Sequence, residues 1–181
     1  MRLERERGPK LDADDRDWFE PLARRLERPA FHFAVMLTQD RAVAEEVVQE
    51  AFARVWASKN TPSVEADFRR WLYRVITNLA RDHHRRRRFQ ATMRFWSVPA
   101  RDPIEEVARR AEDRELLVAL RRLPLKDRQA IYLHYFEGQS FAEVAEVLRV
   151  RETAARVRVH RALRVLRTRL APSALAGEVT A

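Results

Sequence analysis

Between residues 43 and 56 the apolar side chains fall in pairs four residues apart: Val43 with Ala44, Val47 with Val48, Ala51 with Phe52, Val55 with Trp56. At 3.6 residues per turn such doublets merge into one continuous stripe, so this segment is an amphipathic helix with a single core-facing side. Its other side carries Glu45, Glu46, Gln49, Glu50 and Arg54. The same period recurs along the chain. Trp18, Phe19, Leu22, Ala23 and Leu26 define a first helix, and Pro29 is expected to open a second short one carrying Phe31, Ala34 and Val35. Trp71, Leu72, Val75, Ile76 and Leu79 mark another stripe, and Ala155, Val159, Ala162, Leu163, Leu166 and Leu170 a last one. The expected fold class is all-α.

Glycine usage removes most enzyme classes. There are only three, Gly8, Gly138 and Gly177, and two of these lie in the tails. Phosphate-cradling and dinucleotide-binding loops need clustered glycines for close backbone approach, and no such cluster is present. Nor is there a nucleophile elbow or a His-Glu-x-x-His zinc helix. Without cysteine there is no disulfide, thiolate metal site or Cys nucleophile. His83 and His84 are adjacent, point to different helix faces and make a poor metal pair, so a solvated or phosphate-facing role is expected for them. No catalytic residue, cofactor or metal is therefore expected. The first ten residues are charged throughout, unlike a secretory signal. The longest uncharged run, Pro29 to Gln39, is far short of the ~20 residues that span a bilayer. A cytoplasmic protein without membrane insertion is expected.

The net charge of +9 favours a polyanionic partner, but its placement says more. Residues 69–94 contain nine Arg and one Asp; residues 149–169 contain eight Arg and one Glu. On the helix of the first stretch, Arg70, Arg74, Thr77, Arg81 and Arg88 should project opposite the apolar stripe. Like charges at i,i+4 destabilise an isolated helix by a few tenths of a kcal/mol per pair, and a polyanion would relieve this. Pro99, Pro103, Glu105 and Glu106 suggest a linker over 95–112. The expected organisation is a tail (1–16), a first helical domain (17–94), the linker (95–112), a second helical domain (113–171) and a tail (172–181). Residues 59–67 read as a loop.

In the second domain, helices are expected over 113–122 and 126–136, broken at Pro124 and closed by Gly138. Ser140 and Glu143 then form an S-x-x-E capping box opening a helix with Val144, Ala145, Val147 and Leu148. A short turn and a longer basic helix follow. This is the pattern of a helix-turn-helix, here without a wing in a four-helix domain, whose second helix lies in the DNA major groove. On that helix Thr153, Val157, His160, Arg161 and Arg164 face away from the core stripe, flanked by Arg156. Arg can pair with guanine edges and an exposed Val can pack on a thymine methyl. Arg149, Arg151 and Arg158 suit phosphates.

Four stretches in this order and spacing strongly resemble the extracytoplasmic-function (ECF) sigma factors, the two-domain promoter-recognition subunits of bacterial RNA polymerase. They are AEEVVQEAFARVW (44–56), FRRWLYRVITNLARDHHRRRR (68–88), LRRLPLKDRQAIYLHYFEGQSFAEVAEVL (120–148) and RVHRALRVLRTRL (158–170). The resemblance implies that Glu45, Glu46, Gln49, Glu50 and Arg54 dock on core RNA polymerase. It implies that Arg70, Tyr73, Arg74, Asn78, Arg81 and Arg85 engage the melted −10 strand, with Asn60 in a loop (59–67) holding a flipped base. The last helix would read duplex −35 DNA. An anti-sigma factor is a further implied partner. The alternative is a stand-alone helix-turn-helix regulator, which leaves the acidic face and the middle helix without a role. The chain departs from the family at Arg149, where a turn glycine is usual, at Arg151, where a Ser cap is usual, and at Ala154 and Val157, where Thr and Ser are usual. Thr153 could cap in place of Arg151, starting the last helix two residues later.

Overall fold

The computed structural model describes residues 17–58, 60–91 and 111–175, with side chains described to 87 in the first unit and from 115 to 170 in the second. The expected tail at 1–16, residues 176–181 of the expected tail at 172–181 and most of the linker lie outside these residues, while the last helix runs on through 172–175. Among the described residues there are seven helices and no strand: α1 (Phe19–Thr38), α2 (Arg41–Ala57), α3 (Glu65–Ala91), α4 (Ala111–Arg121), α5 (Leu125–Tyr135), α6 (Phe141–Leu148) and α7 (Glu152–Leu175). Helices α1 to α3 pack on one another, as do α4 to α7.

Helix α1 corrects the expected break at Pro29, which lies inside one uninterrupted helix. Proline removes one backbone donor and crowds the preceding turn. Here Leu22, Leu26, Ala30, Phe33 and Leu37 form a single buried stripe running through that point, and their common burial outweighs the local cost. The helix ends at Gln39, left-handed at φ 60°, whose N–H donates to Val35 O. Asp40 then caps α2 by accepting from the Val43 N–H at 3.2 Å. In α2, Ala44, Val47, Val48, Ala51 and Val55 are buried as expected. Trp56 is not: at the end of the helix it remains half exposed, packed edge-on against Phe19.

Helix α3 starts at Glu65, so part of the expected 59–67 loop is helical. Glu65 and Asp67 stand in the first turn, where carboxylates complement the positive end of the helix dipole, and the Phe68 N–H donates to Val64 O. Its 27 residues make a rod about 40 Å long. Phe68, Leu72, Ile76 and Ala80 are fully buried, but so are Thr77, expected opposite the apolar stripe, and Tyr73, expected from the resemblance to meet a melted strand. The second helical unit covers that side, α6 against α3 and α5 against α1. Ring packing of Phe33 against both Tyr73 (5.0 Å) and Tyr132 (5.2 Å) joins the two units. Around it, Arg128 donates to Leu37 O (3.2 Å), the Gln39 amide donates to Arg121 O (2.7 Å), and His84 Nε2 lies 2.8 Å from Leu37 O. His84 thus closes the carboxyl end of α1 instead of facing solvent or phosphate.

Pro124 occupies the N-cap position of α5. Beyond that helix Gly138 takes φ +65°, a conformation glycine adopts without strain, while the Gln139 N–H reaches back to Leu133 O.

Candidate nucleic-acid interface

The helix-turn-helix is assembled by local chemistry. Ser140 Oγ accepts from the Glu143 N–H and the Glu143 carboxylate accepts from the Ser140 N–H, a complete capping box that starts α6. These bonds, with Arg70 adding to them, hold the Glu143 carboxyl below its ordinary pKa. The turn is closed by Arg149, left-handed at φ 52° and ψ 53°, with the Val150 N–H donating to Ala145 O at 3.0 Å. A left-handed non-glycine residue costs about 1 kcal/mol or more. The turn geometry persists here with arginine in it. Helix α7 then begins at Glu152, its first carbonyl partner being Arg151 O, which accepts from the Ala154 and Ala155 N–H groups. Thr153 is therefore inside the first turn and does not displace the start of the helix.

Ala155, Val159, Ala162 and Leu166 bury one side of α7. Thr153, Arg156, Val157, His160, Arg161 and Arg164 are exposed together on the other, with Arg149 and Arg151 exposed in the turn and Arg158 half-buried. Val157 is 61% exposed, whereas Val159 two residues on is buried. Two of these arginines are held. Arg156 donates to Glu152 (2.8 Å) and its guanidinium lies over the Phe141 ring, 4.9 Å from the centroid. Phe141 is stacked in turn on His134, 4.3 Å away. Arg161 makes a two-pronged pair with Asp127, 2.7 Å from its Nε, and Asp127 is buried. Arg161 thus ties α7 to α5, and this pairing raises its pKa. Glu152 could have been flagged from its spacing of four to Arg156; Asp127 could not, because thirty-four residues of chain separate it from Arg161.

The basic face of α3 is divided. Arg81 and Arg85 are exposed, Arg85 pairing with Asp82 at 3.3 Å, and Asn78 and Arg74 are half-buried. Arg70 is largely covered: it pairs with Asp67 on its own helix and with Glu143 (2.8 Å) and Glu146 (3.4 Å) on α6. The Tyr73 hydroxyl donates to the Glu137 carboxylate, and burial followed by that carboxylate pushes its pKa up, keeping it a donor. Asn60 is exposed in the loop before α3; Lys59 and the side chain of Arg88 lie outside the described residues. On α2, Glu45, Glu46, Gln49, Glu50 and Arg54 are all exposed, with Glu45 paired to Arg41 (3.0 Å) and Glu50 to Arg54 (2.6 Å). No helix among the described residues is long and apolar enough to cross a membrane.

Two basic helices on one all-helical frame, one of them completing a helix-turn-helix, are the features of a DNA-binding protein. Residues 22–90 match Sigma-70 region 2, and residues 113–166 match Sigma-70, region 4. The chain is 34% identical over 148 residues to the ECF RNA polymerase sigma factor SigL of Mycobacterium tuberculosis, covering 77% of this chain and 81% of that one. It is 27% identical over 158 residues to the ECF RNA polymerase sigma factor SigX of Bacillus subtilis (82% and 81% covered). To the probable RNA polymerase sigma factor RfaY of Xanthomonas campestris it is 32% identical over 145 residues, spanning 76% of this chain but only 36% of that longer protein. The chain belongs to the ECF RNA polymerase sigma factors, which sets aside the stand-alone regulator. Members of this family are regulatory subunits of RNA polymerase. The fold is similar to that of the sigma factor RpoE from Bartonella quintana, solved with the anti-sigma factor NepR (TM-score 0.71, 22% identity, 84% of this chain and 96% of that one). It is also similar to CnrH, solved with the cytosolic domain of CnrY (TM-score 0.63, 24% identity, 93% and 94%).

Proposed function

We propose that this chain acts in the cytoplasm as a dissociable promoter-specificity subunit with no catalytic residue or cofactor of its own. Residues 17–94 and 113–171 work as separate domains joined by the 95–112 linker. The acidic face of α2 (Glu45, Glu46, Gln49, Glu50, Arg54) docks on core RNA polymerase. Arg70, Tyr73, Arg74, Asn78, Arg81 and Arg85 on α3, with Asn60 before it, engage the separated −10 strand, basic groups tracking phosphate and the aromatic stacking on a base. The exposed face of α7 enters the major groove at −35. Thr153, Arg156, Val157, His160 and Arg164 face base edges there, while Arg149, Arg151 and Arg158 contact phosphates and Arg161, on the same face, is held by Asp127. An anti-sigma factor binds the chain, as NepR binds the similarly folded RpoE.

The observation that carries this reading is the mixed, solvent-facing side of α7, where an exposed Val157 sits among arginines opposite a fully buried stripe. An apolar residue left out of the core and surrounded by cations suits a groove better than solvent. Run-off transcription on genomic DNA with core polymerase, with and without the chain, tests it. Chain-dependent start sites should share sequence near −35 and −10; no chain-dependent starts would overturn the reading.

A further inference from the structure

We propose that Val157 reads the 5-methyl group of a pyrimidine in the −35 duplex, so that promoter choice by this chain responds to cytosine-5 methylation as well as to thymine. This recognition rests on, and deepens, the major-groove reading of α7 given above.

Among the described residues Val157 is the only large hydrophobic side chain on α7 that is exposed. It stands about 200° around the helix from the buried Val159, so it points away from the core. Thr153 and Ala154, one turn earlier on the same face, are exposed and half-buried, and both are small. Small neighbours let the helix approach a groove floor closely. The cations beside Val157 are tethered elsewhere: Arg156 to Glu152 (2.8 Å) and over the Phe141 ring (4.9 Å), Arg161 to Asp127 (2.7 Å). Neither guanidinium is free to fold across the isopropyl group, which is left bare between them.

Chemistry then limits what Val157 can recognise. The thymine 5-methyl is the one apolar group that distinguishes a base pair in the major groove; the other distinguishing groups donate or accept hydrogen bonds. Against an isopropyl group those would lose water and gain no partner, so Val157 selects for a methyl and against bare cytosine. Methylation at C5 places the same methyl in the same position on cytosine and leaves the edge of the paired guanine open to an arginine. A pyrimidine methyl packed on Val157 is recognised through carbon, whichever base carries it. The contact is uncharged, so it displaces no counterion and adds nothing to the salt dependence of binding.

The test uses the full chain bound to core polymerase and the −35 duplex that this complex selects from a random-sequence pool. Each thymine is replaced in turn by deoxyuridine, which removes the methyl and nothing else. One position should lose about fourfold in affinity, the worth of one methyl group withdrawn from water, and the loss should be the same at low and high salt. Cytosine at that position should bind more weakly still, and 5-methylcytosine should recover about fourfold over cytosine. V157S, changed at an exposed site, should keep the wild-type melting temperature yet bind the thymine and deoxyuridine duplexes alike, whereas V157I should keep the discrimination. A V157S that discriminates as wild type does, or a wild type indifferent to deoxyuridine at every position, overturns the methyl contact and leaves the groove reading standing. A complex that selects no −35 duplex overturns both.

Discussion

Asp127 in the first turn of α5 and Arg161 in the middle of α7 form a two-pronged ion pair in which the carboxylate is buried and the guanidinium half exposed. Two parallel N–H···O bonds fix orientation as well as distance, so this pair sets how α7 sits on the helices beneath it. Arg161 is then a positioning residue more than a reader of bases. R161A and D127A should both lower the melting temperature and weaken duplex −35 binding roughly tenfold for every sequence alike. Binding of a panel of singly substituted −35 duplexes to the polymerase complex checks this. A change in base preference in R161A would return it to the readers.

Arg156 is the opposite case. Its guanidinium is held by Glu152 and by the Phe141 ring, yet it stays exposed, so little rotamer freedom remains to be lost on meeting a base pair. R156A should cost about tenfold on the preferred −35 duplex and flatten the preference at one base pair. F141L, which keeps an apolar side chain but loses the ring face, should retain the preference with a smaller loss of affinity. The same duplex panel distinguishes the two.

Replacing Arg74, Asn78 and Arg81 together by alanine leaves the exposed acidic face of α2 untouched. The variant should still co-purify with core polymerase but fail to open promoters, seen as loss of permanganate-reactive thymines. Normal opening would remove these residues from strand binding.

What the sequence made legible, and what it hid, divides along a physical line. The stripes of α2 and α7 follow from 3.6-residue periodicity because each helix has one core side. The capping box of α6 is a contact across three residues and so is written locally. Thr77 read as lying opposite the core, and Tyr73 as open to a strand, because α3 is covered by a unit far away in sequence, which no single-helix pattern records. Pro29 read as a helix start because its local cost is visible, while the buried stripe from Leu22 to Leu37 that overrides it exists only in the packed bundle. The partner of Arg161 is hidden similarly, since an Asp in a first helical turn already has a local explanation.

The carboxyl of Glu143 is held low first by Ser140 and then by Arg70. A carboxylate whose folded pKa is depressed stabilises the fold fully above its unfolded value, and that contribution is lost as pH falls through the folded one. The difference in melting temperature between wild type and E143Q should therefore be constant from pH 6 to pH 8 and shrink below about pH 4, the ordinary carboxylate range. A difference that changed between pH 6 and 8 would point to another group.

Arg149 holds the left-handed position of the helix-turn-helix, where a Cβ crowds the following carbonyl and glycine does not. Its N–H still closes α6 against Glu146 O at 3.4 Å, a bond glycine would keep. R149G should therefore stabilise the second unit by roughly 0.5–1 kcal/mol, the relief of backbone strain less the entropy glycine brings to the unfolded chain. The same change removes an exposed cation beside the groove-facing helix, so duplex affinity should fall evenly across sequences and its salt dependence lessen by about one phosphate contact. Thermal melts together with titrations at several salt concentrations read the two effects separately. A stabilised variant with unaltered salt dependence would show that Arg149 closes the turn without touching DNA.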